Sequence, residues 1–148
     1  MKNVITSTHF RRPEYSEQSI RALATQREAS SWHYHANIDS GPDATKIAMI
    51  AEKFRSSFAG MTIHIREGKP SCNDNTLDAL SKAMDLDPYF VVMAEDDVLL
   101  GWDSLLYFLE QADAHADDPD IFTVSAWRHP GGWMPCDGRQ VRWSDHHQ

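Results

Sequence analysis

Three consecutive carboxylates, Glu95-Asp96-Asp97, follow directly on Tyr89-Phe-Val-Val-Met-Ala94, the longest apolar run of the chain. A buried strand of that composition delivers the acids to its own carboxyl end. Unpaired carboxylates beside a core are costly, so such a cluster ordinarily meets water, cations or a metal. Hard oxygen donors suit Mg²⁺ or Mn²⁺, which are held by one or two carboxylates together with substrate phosphates. An acidic strand-to-loop turn with no ligand accounts for the same three residues. His146 and His147 would complete a metal site or simply end the chain as a frayed pair. His9, His33, His35 and His64 read as local hydrogen-bonding residues, and Cys72 and Cys136 as plain thiols.

The elements that must position the acids alternate between strand and helix signals. Asn3–Thr8 is apolar and β-branched, as a first strand is. Pro13 suits a helix start, and Tyr15, Ile20, Leu23 and Ala24 give a helical stripe to about Gln26. Trp32–Ile38 reads as a second strand, closed by the turn cluster Asp39-Ser-Gly-Pro-Asp43. Asp43 is placed to cap a helix carrying Ile47, Ile50, Phe54 and Phe58, with Ile47, Ile50 and Phe54 as core and Gly60 ending it. Met61–Ile65 alternates as a strand, and residues 68–74 form a loop. Leu77, Leu80, Ala83 and Met84 mark a further helix, and Leu105, Leu109 and Ala112 another from about Asp103 to His115. Ile121–Ala126 is one more apolar strand. Strands separated by helices imply an α/β fold with a mostly parallel sheet covered on both faces. Residues 128–148 lack periodicity and read as a short, loop-rich C-terminal segment.

The 148 residues suit a single domain. Residues 1–127 would form the core and 128–148 a tail. No apolar run approaches the roughly 20 residues of a membrane span, and the first residues carry no apolar signal core. A cytoplasmic protein without a disulfide framework is expected. The charge is uneven: residues 1–74 hold ten bases and eight acids, whereas residues 75–148 hold four bases and fourteen acids. So acidic a second half argues against generic nucleic-acid binding.

At the motif level the chain resembles a family. Val4-Ile-Thr-Ser-Thr-His-Phe-Arg-Arg-Pro-Glu-Tyr15, followed by Ser19-Ile-Arg-Ala-Leu-Ala-Thr-Gln26, resembles the opening of GT-A-fold glycosyltransferases. Phe90–Val98 followed by Trp102-Asp-Ser-Leu-Leu-Tyr-Phe-Leu109 resembles their acidic metal motif and the helix after it. Asp118-Pro-Asp-Ile-Phe-Thr-Val-Ser-Ala-Trp127 is similar to a segment of the N-acetylglucosaminyltransferases that initiate branching of N-glycans and O-mannosyl glycans. The resemblance covers about residues 3–127. It implies a GT-A (Rossmann-like) fold and a metal-dependent transferase acting on a nucleotide-diphosphate sugar, a UDP-sugar foremost, with Mn²⁺ or Mg²⁺ as cofactor and inversion as the expected stereochemical course. The acceptor is open. A degenerate GT-A domain that binds a nucleotide sugar without turnover is the alternative.

The resemblance also distributes roles. It makes Asp97 the metal ligand, sets Asp96 toward the ribose or sugar, and sets Glu95 toward the sugar or the loop. Thr6, Ser7, Arg11 and Arg12 border the nucleotide, and Asp39 contacts base or ribose. Asn73 and Asn75 lie on a helix beside the diphosphate. Inverting transfer needs a carboxylate base, for which the tail supplies Asp145 and then Asp137. Pro130-Gly-Gly-Trp133 and Trp143-Ser-Asp145 loosely echo a motif pair of the same enzymes, which favours Asp145. Trp127, Arg128 and Trp133 fall on the acceptor side, where Trp127 either stacks on a sugar or closes the core.

Overall fold

The β-branched runs and the helical repeats between them fold as the alternation requires. The computed structural model describes residues 2–121, 123 and 124. Four strands, β1 (Lys2–His9), β2 (Trp32–Ile38), β3 (Gly60–Ile65) and β4 (Pro88–Glu95), form a parallel sheet in the order β3-β2-β1-β4. Helices α1 (Pro13–Ala24), α2 (Ala44–Glu52), α3 (Cys72–Met84) and α4 (Ser104–His115) connect or follow them. The chain steps outward from β1 to β3, then returns across the sheet through α3 to place β4 beside β1. Right-handed crossovers therefore put α3 on the face opposite α1 and α2. This is a Rossmann-like, doubly wound arrangement.

The two faces differ in chemistry. Ile5, Trp32, Tyr34, Ala36 and Val92 join Ile20 and Leu23 of α1, Ile50 of α2 and Leu105 of α4 in the main core. Trp32 meets Phe90 edge-on at 5.2 Å, and Tyr34 stacks on Phe58 at 4.8 Å. Beneath α3 the sheet is polar. The Thr6 hydroxyl donates to the Ala79 carbonyl at 3.3 Å and lies 2.9 Å from His35 Nδ1. Asn37 Nδ2 donates to Asn75 Oδ1 at 2.9 Å.

That polar layer corrects one expectation. Leu77 and Met84 do not face the sheet; they are 66% and 61% exposed. The buried residues of α3 are Asn75, Ala79 and Ala83, because a helix lying on Thr6, His35 and Asn37 must offer small and hydrogen-bonding side chains. Helix α2 also ends sooner than its stripe suggests. It closes at Glu52, and a single 3₁₀ turn (Arg55–Ser57) redirects the chain so that Phe58 still enters the core. Ile121, Thr123 and Val124 are in no strand, and the rest of the expected fifth strand, Ile121–Ala126, lies outside the described residues. No helix among the described residues is long and apolar enough to cross a membrane.

Candidate functional site

In an open parallel sheet, ligands bind beyond the carboxyl ends of the strands, where the strand order reverses. Here that point lies between β1 and β4. The pairing sets Thr8 against Glu95, so the segments after the two strands, Phe10–Arg12 and Asp96–Asp97, leave the sheet side by side.

The turn after β1 is shaped to meet the acids. Arg11 has φ 52°, a left-handed conformation that is uncommon for a residue with a Cβ. Arg12, held out of the helical region by the following proline, precedes the first turn of α1 and accepts the Ser16 amide through its carbonyl at 2.9 Å. The Phe10 amide donates to Asp96 Oδ2 at 3.2 Å, and Arg12 Nη2 donates to Asp96 Oδ1 at 2.5 Å. Arg12 Nη1 reaches Asp97 Oδ2 at 3.3 Å. Burial raises the pKa of the Asp96 carboxyl, and the Phe10 amide and Arg12 offset part of that rise. Asp96 raises that of the Arg12 guanidinium in return. The Arg11 guanidinium lies 4.8 Å over the Phe10 ring.

The three acids thus have distinct surroundings. Asp96 is buried, with a partner on each oxygen. Glu95 and Asp97 are exposed, and among the described residues Asp97 has a single loose side-chain contact, to Arg12. Among the described residues, no group of three His, Cys, Asp or Glu is arranged to hold a metal unaided. The donor set fits a hard divalent cation whose remaining ligands come from substrate phosphate and water, the usual way Mg²⁺ is held.

Asp39 lies just past the end of β2 and is 2% exposed. Its Oδ1 accepts from the Ser40 amide at 2.9 Å and from Arg66 Nε at 3.1 Å, and its Oδ2 accepts from the Ser71 amide at 2.8 Å. Arg66 also donates to the Lys69 carbonyl at 2.6 Å. The carboxylate thereby ties the ends of β2 and β3 to Ser71, whose hydroxyl caps α3 by accepting from the Asp74 amide. Asn73 is exposed in the first turn of α3, while Asn75 is buried against Asn37.

Thr6 and Ser7 sit inside the sheet with their hydroxyls engaged on opposite faces. Ser7 Oγ is 2.6 Å from the Tyr34 hydroxyl and 2.7 Å from His9 Nε2, and His9 Nδ1 is 3.1 Å from Ser16 Oγ. Burial lowers the His9 pKa to about 3 and raises that of Tyr34. This network fastens α1 to the end of β1 directly behind Arg12. Arg66, Phe10 and the His9–Tyr34–Ser16 set were absent from the expected site. Arg66 directly follows β3 as Asp39 directly follows β2, and that strand-end position is the sequence signal that could have found it. Asp137, Asp145, Trp127, Arg128, Trp133, Cys136, His146 and His147 lie outside the described residues.

The four-stranded parallel sheet with its flanking helices has counterparts in solved structures. The described fold is a Rossmann-like GT-A fold. The chain is similar to the crystal structure of S. aureus TarS, with a TM-score of 0.63 and 21% identity over 78% of this chain and 20% of that one. It is also similar to the structure of S. aureus TarS 1-349, with a TM-score of 0.66 and 19% identity over 78% of this chain and 33% of that one. The match therefore spans at most a third of the length of these two GT-A chains. No family model and no curated protein sequence matches the chain. The narrower likeness to N-acetylglucosaminyltransferases rests on the sequence motifs alone.

Proposed function

We propose that the chain is a metal-dependent glycosyltransferase domain that binds a nucleotide-diphosphate sugar, with a UDP-sugar as donor. The observation that carries this reading is the meeting of Asp96, Asp97 and Arg12 at the strand-order reversal of a GT-A sheet. Asp97, exposed and loosely held, is the ligand for Mn²⁺ or Mg²⁺. Asp96, fixed by Phe10 and Arg12, holds the shape of the loop and presents its edge to the ribose or sugar. Arg11 and Arg12 border the diphosphate as charge-assisted donors. Glu95 lies on the sugar side, and the first turn of α3, with Asn73, adjoins the phosphates. Asp39 bounds the base end of the site through the loop it fastens.

When bound, the cation supplies Lewis-acid stabilisation to the departing diphosphate. The arginines supply fixed positive charge where negative charge develops. Inverting transfer then needs a carboxylate to take the acceptor hydroxyl proton, a role proposed for Asp145 with Asp137 second.

Asp97→Ala tests the reading at its centre. It should remove most of the Mn²⁺-dependent stabilisation by UDP or UDP-sugars in a thermal-shift assay. Circular dichroism should remain that of the unsubstituted protein, since an exposed strand-end acid is not core. Loss of folding, or an undiminished nucleotide shift, would return the acid triplet to a structural turn.

A further inference from the structure

Arg12 is the only basic side chain that the structure, among the described residues, sets directly on the acids at the end of β4. Its hold on them is uneven. Nη2 meets Asp96, whose side chain is 5% exposed, at 2.5 Å. Nη1 meets Asp97, 43% exposed, at 3.3 Å. The first contact is desolvated and backed by the Phe10 amide on the other carboxylate oxygen. The second is a half-exposed pair of the kind that contributes little. The backbone allows no wholesale departure, because Arg12 is fixed between the left-handed Arg11 and the first turn of α1. One end of the guanidinium is therefore anchored, and the other rests on the acid proposed to hold the cation.

We infer that Arg12 is a built-in counter-cation that makes divalent-metal binding at Asp97 depend on the nucleotide. This rests on the metal-assisted nucleotide reading above. Without a diphosphate, the guanidinium already neutralises part of the carboxylate charge, and a dication approaching Asp97 meets a fixed positive neighbour. A unit charge some 6 Å from a dication in water opposes its binding by about tenfold. When a nucleoside diphosphate enters, Nη1 exchanges its weak contact with Asp97 for a phosphate oxygen, while Nη2 stays on Asp96. Both cations then have anionic partners. Asp97 is freed for the metal at the moment phosphate oxygens become available to complete its coordination. The arrangement keeps the site from loading with metal alone and couples the two ligands.

Mn²⁺ binding followed by electron paramagnetic resonance, with UDP binding followed by calorimetry, tests this. Arg12→Gln should bind Mn²⁺ alone about tenfold more tightly and bind UDP in saturating Mn²⁺ about tenfold more weakly. Arg12→Lys keeps the charge, and its affinity for Mn²⁺ alone should stay near that of the unsubstituted protein. A merely structural Arg12 would weaken both affinities in Arg12→Gln, and that result would overturn the inference. The unsubstituted protein gives an independent measurement, since saturating UDP should raise its Mn²⁺ affinity by tenfold or more; no change contradicts the coupling. Equal UDP affinity in Mn²⁺ and in EDTA would remove the nucleotide reading itself. Metal-dependent UDP binding combined with unchanged or weaker Mn²⁺ binding by Arg12→Gln would remove only the role given to Arg12.

Discussion

His9 is a buried titratable residue at the end of the strand that leads into the candidate site. It is 1% exposed, bridges Ser7 and Tyr34 to Ser16, and ends the strand that leads into Arg12. Burial holds its pKa at about 3, against an ordinary value of 6.5. The folded protein therefore keeps His9 neutral while the unfolded chain takes up a proton below about pH 6.5. Its stabilising contribution is present above that pH and is lost as the pH falls toward 3. Urea unfolding should show a loss of about 2–3 kcal/mol between pH 7 and pH 4 from this residue. His35, lowered by burial to about 4, acts in the same direction. His9→Gln should flatten the dependence by the His9 share; an unchanged slope would mean that His9 is not held neutral. The sequence suggested no more than local hydrogen bonding for His9, because its partners Tyr34 and Ser16 come from other elements. The strand-end position of the acid triplet was legible for the opposite reason: it is set by the apolar run immediately before it.

Among the elements, the loop leading into α3 depends on one carboxylate. Asp39 receives two backbone amides and Arg66 in a nearly closed setting. Asp39→Ala leaves those donors and the Arg66 charge without a partner, which should lower stability by about 3 kcal/mol. Amide exchange should speed up at Ser71 and Asn75 before it does in β1. Protection there equal to that of the unsubstituted protein would show that the loop is held by other contacts. Helix α3 also marks a limit of periodicity. The expected stripe, Leu77, Leu80, Ala83 and Met84, shares only Ala83 with the stripe that is buried, Asn75, Ala79 and Ala83, which has equally helical spacing. Pattern alone selects the apolar stripe. The structure selects the small, polar one because Thr6, His35 and Asn37 lie beneath it. Strands β1, β2 and β4 were readable because β-branched and aromatic runs bounded by turn residues have few other solutions. The early end of α2 was not, since Phe54 and Phe58 extend the helical spacing into a turn that delivers Phe58 to Tyr34 by another route.

For the whole molecule, topology and charge act together. The return crossover through α3 puts the acidic end of β4 beside the arginine-bearing turn of β1, which sequence order separates by more than eighty residues. Of the ten bases in the first half, Arg12 is the one set against the acids of the second half at this point. On the proposed reading, a diphosphate here is bound with the help of a cation, because Glu95, Asp96 and Asp97 outnumber Arg11 and Arg12. Calorimetric titration of UDP in Mn²⁺ and again in excess EDTA tests this most directly. The account predicts measurable binding with Mn²⁺ and a loss of about tenfold or more with EDTA. Equal affinity under the two conditions would contradict a metal-assisted nucleotide site at the end of β4.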